Sequence, residues 1–550
     1  MKKFIAPLLV GAALTSGFAA DDLKKEIEAL KAQMAELKNA QSKMNIDALR
    51  AQVSEIKAHD AGDNIKWNVD FRTAYDIVDY KVKSPMGASS SIDNGIWTNK
   101  LILGMAAQPV DNLVFKGALG VYKMFGHNGA TAYNAFQNMD WYASQTPDDS
   151  AIRLREAYFL YFGDMGDVHY SASFGRRPSV DGFMTNLRAD NADPASPVGH
   201  NINMEFDGAS FKFDFDKLTG ISGFYAKICL GRGNSNADSK YPTFDNFQGS
   251  LGVNQMMATS LPYTQNGNDS ANMDLAGLLI QFYDDGQYKV MANYFQGWNM
   301  MGADMRRTSN GGTDAQTAAM AAMGGGMPAA MAAFQGALMD DTYGVRLTDV
   351  GDLTGWSLSL QVNGIGDGIN DFLDDSIFFV SYAGSKTDPK GLHGTLLSQF
   401  NAEGADFMMG QAAGTTSALT TEMLGSSKSE TGHSYYLGFQ FPGIMAGQRL
   451  GLEYNHGSKY WRSFTYGEDT LVGSKLSTRG DAYEIYYTLP LVGKNLTAQL
   501  SYVYIDYDYS GSDMFFGSTG TPMTQAEAAA MGMSFVESAS NIRASIRYRY

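Results

Sequence analysis

The sequence predicts an all-β fold: a transmembrane antiparallel β-barrel of about 16 strands, preceded by a short α-helical coiled coil. Three observations predict it. The last ten residues alternate between an apolar and a cationic face, and pairs of alternating segments joined by tight turns recur along the chain. Beyond the first twenty residues, no apolar run approaches the roughly 18 residues of a membrane-spanning helix. Strands between lipid and water produce this pattern.

The C-terminal strand presents two chemically different faces, because successive side chains of a strand point in opposite directions. The apolar face consists of Ile542, Ala544, Ile546, Tyr548 and Tyr550, and the polar face of Asn541, Arg543, Ser545, Arg547 and Arg549. A strand with three arginines on one side must lie between two media. A soluble sandwich strand packed on a core is the alternative that this stretch alone leaves open.

The N-terminus has the pattern of a secretory signal peptide over residues 1–20. Lys2 and Lys3 precede an apolar run over residues 4–13, and Gly17 and Ala19 form a small-x-small cleavage site. Removal of the two lysines takes the formal net charge from -16 to -18, and this acidity argues against nucleic-acid partners. The single cysteine, Cys229, permits no internal disulfide.

Residues 21–60 are predicted to be helical and to form a coiled coil. The first seam consists of Leu23, Ile27, Leu30, Met34 and Leu37, which repeat at steps of four and three residues. A second seam, Ile46, Leu49, Val53 and Ile56, is out of phase with the first. We expect self-association, most simply as a trimer. A single amphipathic helix that lies on its own barrel is the alternative.

The barrel is predicted to span residues 64–550. Its first strand alternates Ile65, Trp67, Val69 and Phe71 with Lys66, Asn68, Asp70 and Arg72, so it mirrors the last strand and should pair with it. We place strands near residues 64, 97, 113, 152, 168, 208, 221, 273, 288, 341, 356, 434, 449, 482, 496 and 540. Short turns alternate with loops of roughly 10 to 40 residues, which is the asymmetry of outer-membrane barrels.

Two parts of the barrel resist this assignment. Residues 377–385 have the pattern of a further strand, and its partner would then lie within residues 389–432 and give eighteen strands. In the strand around Leu154, either choice of faces directs a charge toward lipid: Glu156 on one side, or Arg153 and Arg155 on the other.

A barrel of sixteen strands encloses a lumen too wide for side chains to fill. The loop over residues 178–207 is the predicted constriction, with Arg176, Arg177, Asp181, Arg188, Asp190 and Asp193. An exposed loop with ordinary surface charge is the alternative. The predicted lumen-facing charges are Lys66, Asp70, Arg72, Lys227, Glu453, Arg543, Arg547 and Arg549. Because their signs are mixed, they indicate no preference for anions or cations.

No catalytic, metal or cofactor site is predicted. The seven histidines form no metal-ligand pattern, and no phosphate-binding glycine loop with its lysine occurs. The spacing of Met320, Met323, Met327 and Met331 would suit a soft metal, but one face of two short helical pieces is the favoured interpretation. An enzyme whose site is assembled from distant strands is the alternative.

Several features together resemble porin-type proteins of Gram-negative bacteria. They are the signal peptide, the coiled coil, the strand at Asn64, the segment 154–158 followed by Gly175-Arg176-Arg177-Pro178, and the terminal Tyr548-Arg549-Tyr550. The closer resemblance is to a domain-of-unknown-function family of porin-like outer-membrane proteins with an N-terminal coiled coil. It implies an outer-membrane barrel, a periplasmic coiled coil, and a C-terminal signal at Tyr548 and Tyr550 that the barrel-insertion machinery reads. It implies no substrate.

The expected function is a porin-like channel for passive diffusion of small hydrophilic solutes or ions. One alternative is a structural connector, in which the coiled coil contacts the cell wall and the barrel is an anchor. A barrel that houses an electron-transfer partner is another. The expected partners are outer-membrane lipid, the insertion machinery and further copies of this chain.

Overall fold

The computed structural model describes most of the predicted barrel. It covers residues 65–84, 89–125, 151–177, 182–191, 194, 198–235, 237–238, 264–265, 272–307, 323–330, 332–333, 343–366, 368–390, 424–465, 469–512, 521–530 and 532–550. The signal peptide predicted for residues 1–20 and the coiled coil predicted for residues 21–60 lie outside the described residues. No helix in the described part of the chain is long and apolar enough to cross a membrane.

The described residues form eighteen strands. They are β1 (Lys66–Lys83), β2 (Ser89–Val110), β3 (Leu113–Met124), β4 (Arg153–Met165), β5 (Val168–Arg177), β6 (Phe206–Asp214), β7 (Tyr225–Asn234), β8 (Ala237–Asp238), β9 (Thr264–Gln265), β10 (Met273–Asp284), β11 (Tyr288–Arg307), β12 (Tyr343–Asn363), β13 (Ile377–Pro389), β14 (Thr431–Pro442), β15 (Arg449–Gly457), β16 (Gly480–Val492), β17 (Leu496–Tyr507) and β18 (Phe535–Arg549). Short helices lie at Thr185–Arg188, Asp216–Thr219, Asp371–Asp374 and Gln525–Ala530, with 3₁₀ turns at Met323–Gly325 and Lys475–Ser477.

Sixteen of these strands close into one antiparallel barrel, which confirms the predicted fold class. The strands β8 and β9 form a separate two-stranded sheet, so that β7 pairs with β10. The first strand pairs with the last, as predicted, and reciprocal hydrogen bonds of 2.9 Å join the backbones of Val69 and Tyr550. Closure leaves the barrel with no unpaired edge strand.

The number of strands is as predicted, but two of the assignments are wrong. The strands expected near residues 341 and 356 are one strand, β12, which continues past irregular pairing of Gly351 with β11. The turn-like Asp349 and Gly351 therefore mark a bulge and not a loop. Residues 377–389 form β13, which pairs with β12 and β14, so this strand needs no partner within residues 389–432.

A β-bulge resolves the ambiguous faces of β4. Ala118 of β3 pairs with Glu156, and the next residue, Leu119, pairs with Leu154, so Arg155 is the extra residue. Leu154 is consequently exposed on the outer face, whereas Arg155 is buried and donates from Nε to Glu205 Oε1 at 2.7 Å. Glu156 stands opposite Ala118, a buried residue.

The outer wall is apolar and rich in aromatic side chains. Its exposed rings include Trp67, Trp97, Tyr161, Trp298, Trp356, Tyr435 and Tyr548. On β18, Ile542 and Ile546 are 42% and 47% exposed, as expected for a face turned toward lipid. A soluble protein would bury so continuous an apolar surface.

Glycines on neighbouring strands make room for rings in the lumen. A Cβ at Gly451 would lie 2.0 Å from the Tyr486 ring, and a Cβ at Gly355 would lie 2.2 Å from the Phe295 ring. Both rings are buried. The glycines of these strands therefore serve packing of the barrel interior.

Most connections at one end of the barrel are short turns, and most of those at the other end are longer loops. The turns after β2, β4, β10 and β16 contain only two or three residues each. Lys66 and Tyr550 both lie at this turn end, because β1 begins and β18 stops there. The loop end carries the segments that enter the lumen.

Candidate functional site

The loop over residues 178–205 joins β5 to β6, and its described part lies in the lumen. Its described residues are not exposed, in contrast to the alternative considered from the sequence. Phe183, Met184, Val198, His200 and Asn201 are each at most 1% exposed. Three of them, Phe183, Met184 and Val198, belong to one core cluster with Phe379 of β13 and Tyr436 of β14. Four strands of the wall separate β6 from β13, so the β5–β6 loop crosses the interior.

Polar contacts fix the returning half of the loop to the wall. His200 Nδ1 lies 2.8 Å from Ser381 Oγ of β13, and His200 Nε2 lies 2.9 Å from Ser434 Oγ of β14. Asn293 of β11 donates from Nδ2 to Asn201 Oδ1 at 2.8 Å. Since these groups are buried, each hydrogen bond also avoids the cost of an unsatisfied polar atom.

Side chains of the barrel wall donate hydrogen bonds to the backbone carbonyl oxygens at the C-terminal end of the short helix Thr185–Arg188. The carbonyl oxygens of Leu187, Arg188, Ala189 and Asp190 accept from Gln440 at 3.3 Å, Gln499 at 3.2 Å, Arg547 at 2.5 Å and Arg549 at 2.6 Å, respectively. The last carbonyls of a helix lack intrahelical partners. Here side chains of β14, β17 and β18 supply them, and two of the four are cationic.

A second loop, residues 458–479 between β15 and β16, also enters the lumen. Trp461 and Leu476 are fully buried, and Trp461 Nε1 donates to Leu476 O at 2.8 Å. Backbone hydrogen bonds join this β15–β16 loop to the β5–β6 loop: Asn203 N to Phe464 O at 2.5 Å, and Phe464 N to Asn201 O at 3.0 Å. The two loops therefore form one inner structure.

A buried ion cluster anchors both loops to the wall. It consists of Arg188 from the β5–β6 loop, Lys475 from the β15–β16 loop, Glu453 of β15 and Glu484 of β16. Lys475 Nζ donates to both carboxylates, and Arg188 Nη1 lies 3.5 Å from Glu484 Oε2 and 3.8 Å from Glu453 Oε2. Tyr436 also donates to Glu453 at 2.8 Å. Two cations thus balance two acids at one site.

The wall beside this cluster is basic, and its strand β18 lies two strands from β16. On β18, Arg543 Nε donates to Asp76 at 2.6 Å, Arg547 binds Asp70 through two nitrogens, and Arg549 binds Asp190 at 2.7 Å. Arg547 and Arg549 occupy successive inward positions on β18, and Arg543 lies two inward positions before Arg547. Their spacing follows directly from the period of the strand.

A cavity of about 140 Å³ lies between the basic wall and the two loops. A single water needs at least roughly 10–15 Å³ of such space, so the cavity is large enough for several waters. Among the described residues that line it, the cationic ones are Arg72, Lys100, Arg188, Lys475, Arg543, Arg547 and Arg549, and the acidic ones are Asp190, Asp469 and Glu484. The surface that faces the water is therefore predominantly cationic.

The structure gathers many of the residues singled out from the sequence. Those at or next to the cavity are Arg188, Asp190, Asp70, Arg72, Glu453, Arg543, Arg547 and Arg549. Arg176 does not join them. It shares the face of exposed Phe174 and lies 3.5 Å from Asp207 of β6, so this predicted constriction residue is on the outer wall.

The remaining predicted residues lie away from the cavity or outside the described part. Arg177 is buried at the loop end of β5, Lys227 pairs in register with Lys212, and Lys66 lies at the turn end of β1. Asp181 and Asp193 lie outside the described residues, as do Met320 and Met331. Within the described residues, no group of three His, Cys, Asp or Glu side chains is placed to hold a metal ion.

Sequence reasoning missed several residues of the site. Asp469 and Lys475 belong to a loop whose path through the lumen no local pattern indicates, and His200 lacks any recognisable motif. Lys100 and Glu484 could have been predicted from the sequence, because each lies on the polar face of an alternating strand. The signal for them was the same period of two that identified Arg543.

Acidification is expected to loosen the β5–β6 loop through His200. Burial lowers the pKa of His200 to about 3, although a hydrogen bond to Asn455 acts in the opposite direction. An undocked His200 would titrate near about 6.5. As the pH falls from about 6.5 toward 3, the undocked loop binds a proton that the docked loop does not, so docking loses stability over that window and is unaffected above it.

Hydrogen–deuterium exchange of residues 198–205 checks this prediction. Exchange should be faster in the wild type than in His200→Gln at about pH 4, and equal in the two proteins at about pH 7. The control is His456→Gln, since His456 lies 2.9 Å from Asp481 and away from the lumen loops. Equal exchange of wild type and His200→Gln at pH 4 would contradict the idea that protonation of His200 loosens the loop.

Comparison with known proteins gives a family and no function. A family model described as a protein of unknown function (DUF3373) matches residues 90–550. No curated protein matches the sequence. The match agrees with the resemblance to a domain-of-unknown-function family, and the predicted coiled coil lies outside the matched residues.

The chain is also similar to solved outer-membrane proteins. OprB of Pseudomonas putida is 11% identical with a TM-score of 0.42, over 90% of this chain and 96% of that chain. An anion-selective porin from Comamonas acidovorans is 10% identical with a TM-score of 0.39, over 88% and 100%. OmpT of Vibrio cholerae, folded in vitro, is 11% identical with a TM-score of 0.38, over 88% and 97%. None of these likenesses indicates a function.

Proposed function

Since the chain belongs to the DUF3373 family, we propose that this member is an outer-membrane porin-like channel for passive diffusion of small hydrophilic solutes. We further propose that its narrowest part favours anions. The observation that carries the proposal is the cationic surface that faces the lumen cavity beside the two inward loops. The barrel supplies the pore, and the charges of wall and loops that line its narrow part set its selectivity.

The preference for anions depends on where the charges face. Asp70 and Asp76 neutralise Arg547 and Arg543 but do not line the cavity, so a solute in the cavity meets the guanidinium groups first. A potential of one sign inside a narrow, low-dielectric cleft concentrates the opposite ion. This holds although the whole chain carries a formal charge of -16.

The proposed orientation places the turn end in the periplasm and the loop end outside the cell. Outer-membrane barrels have short periplasmic turns and longer external loops. Because β1 begins at Lys66 at the turn end, residues 21–60 join the barrel on the periplasmic side. Their predicted coiled coil, whether it joins copies of this chain or contacts the cell wall, would then lie beneath the pore.

Single-channel recording of the refolded mature protein in a planar bilayer tests the proposal. We expect stable conductance steps and a reversal potential in a KCl gradient that has the sign of anion selectivity. The double variant Lys100→Gln/Arg549→Gln should shift this potential toward cations, because it removes two charges that face the cavity. The control is Arg232→Gln, which removes one charge from the outer end of β7.

Two outcomes would contradict the proposal. A correctly folded barrel that stays electrically silent would exclude passive diffusion, and a wild-type potential of the cationic sign would exclude the assigned selectivity. A variant without residues 21–60 separates the channel from a structural connector. A channel keeps its conductance without this segment, whereas a connector loses envelope integrity while the pore is unaffected.

A further inference from the structure

Asp469 of the β15–β16 loop occupies a pocket of cations in the barrel wall. Arg72 Nη1 and Nη2 lie 2.5 Å and 3.0 Å from its two carboxylate oxygens, and Lys100 Nζ lies 3.6 Å away. Arg543 Nη1 donates to the Asp469 carbonyl oxygen at 3.0 Å and lies 3.6 Å from the carboxylate. Three cations from β1, β2 and β18 therefore converge on one acid of a loop.

The pocket offers more donors than Asp469 uses. Among the described residues, Arg72 Nε and Arg543 Nη2 are buried and have no hydrogen-bond partner. Both side chains also line the cavity of about 140 Å³. A buried guanidinium nitrogen without an acceptor is costly. Water can supply an acceptor there, and so can further oxygens of a bound anion.

The charge of the pocket favours an anion strongly. Burial alone would raise the pKa of Asp469, but Arg72, Arg543 and Lys100 outweigh it and hold the pKa below its usual range. Asp469 is therefore ionised at neutral pH. Asp76 neutralises Arg543 from the other side. Removal of Asp469 would leave Arg72 and Lys100 without an acid at contact distance among the described residues.

We propose that this pocket, formed by Arg72, Lys100 and Arg543, is a binding site for the phosphate or carboxylate group of a permeating solute. The carboxylate of Asp469 competes with the solute, because it occupies the pocket when no solute is present. The site rests on the proposed channel function. Its chemistry is that of an oxyanion held by paired guanidinium groups. A phosphate suits it well, because its additional oxygens reach donors that a single carboxylate leaves unused.

Competition by Asp469 keeps the affinity of the site low. A ligand binds to the fraction of molecules in which the pocket is free, so the apparent dissociation constant rises as Asp469 occupies it more often. Weak binding suits a channel, because a solute must leave the site as readily as it enters. The β15–β16 loop therefore sets how long an anion stays.

Titration calorimetry of the refolded, full-length mature barrel in detergent tests this site without a membrane. Inorganic phosphate and malonate are titrated separately into the wild type and Asp469→Asn. If Asp469 fills the pocket about nine-tenths of the time, its loss should tighten binding about tenfold. Tighter binding of phosphate alone, or of malonate alone, identifies the group that the site prefers.

Matched variants make the result specific. Asp274→Asn removes an acid that pairs with Arg232 through two nitrogens on the outer wall, and it should leave binding unchanged. Lys100→Gln keeps the pair of Asp469 with Arg72 and Arg543, and should weaken phosphate binding even if Asp469→Asn fails to fold. Equal affinity in the wild type and Asp469→Asn, or no effect of Lys100→Gln, would overturn the proposal.

The two proposals fail in different ways. A silent barrel in which Asp469→Asn tightens phosphate binding contradicts the channel and leaves the binding site. A conducting barrel in which the substitution leaves affinity unchanged contradicts the site and leaves the channel.

Discussion

Replacement of Lys475 with methionine is expected to destabilise the folded barrel and to enlarge its conductance. Lys475 is buried between Glu453 and Glu484 and ties the β15–β16 loop to the wall. Methionine fills a similar volume without the charge. Two neighbouring carboxylates would then share Arg188, which is 3.5 Å or more from each. Loss of one partner from a buried ion pair costs about 3–5 kcal/mol.

The effect should reach the pore because both loops depend on the cluster. Without Lys475 the two carboxylates repel each other and Arg188 alone cannot hold both loops against β15 and β16, so the space beside the basic wall widens. The measurements are the temperature at which the folded form is lost on a gel and the single-channel conductance.

The control for this prediction is the triple variant Lys475→Met/Glu453→Gln/Glu484→Gln. It removes both carboxylate charges with the lysine, so most of the lost stability should return. Replacement of a complete buried ion pair by neutral groups is often tolerated, whereas removal of one partner is not. A single variant as stable as the wild type would show that the cluster does not anchor the loops.

The wall of the barrel was predictable because a strand between lipid and water has a period of two. That rule identified β18 and its arginines, β1 and the pairing between them without reference to any other part of the chain. The rule gave ambiguous or wrong assignments where an irregularity of the strand interrupts this alternation. The bulge at Arg155 shifts the alternation by one residue, and the irregular pairing at Gly351 imitates a loop inside β12.

The inner structure was predictable only in part. Arg188 and Asp190 were proposed from the charges of one loop, but their partners Glu484 and Arg549 are distant in sequence and adjacent only after closure. Nothing local to Asp469 indicates that it enters a pocket of three cations. The alternation of polar and apolar residues predicts which strand residues face the lumen. The surroundings of a loop residue depend on the path of the whole loop, which no local pattern predicts.

Asp76→Ala is expected to weaken the junction between the first and last strands. Asp76 lies on β1 and is fully buried, and it accepts from Arg543 Nε at 2.6 Å, Asn541 Nδ2 at 2.9 Å and Thr98 Oγ1 at 3.3 Å. The first two donors belong to β18 and the third to β2, so one carboxylate joins three neighbouring strands. Among the described residues, its loss leaves the Arg543 guanidinium with the more distant Asp469 as its one acidic partner.

We expect Asp76→Ala to lower the free energy of unfolding by about 3–5 kcal/mol, the usual effect of leaving one partner of a buried ion pair uncompensated. Urea titration of the barrel in lipid vesicles measures it. The matched control is Asp79→Ala: this carboxylate lies three residues further along β1 and accepts from Ser91 Oγ at 2.6 Å in an exposed position. Its loss should change stability by no more than about 0.5 kcal/mol. Equal losses in the two variants would mean that backbone pairing alone holds the closure, and that the lumen charges act only on the solute.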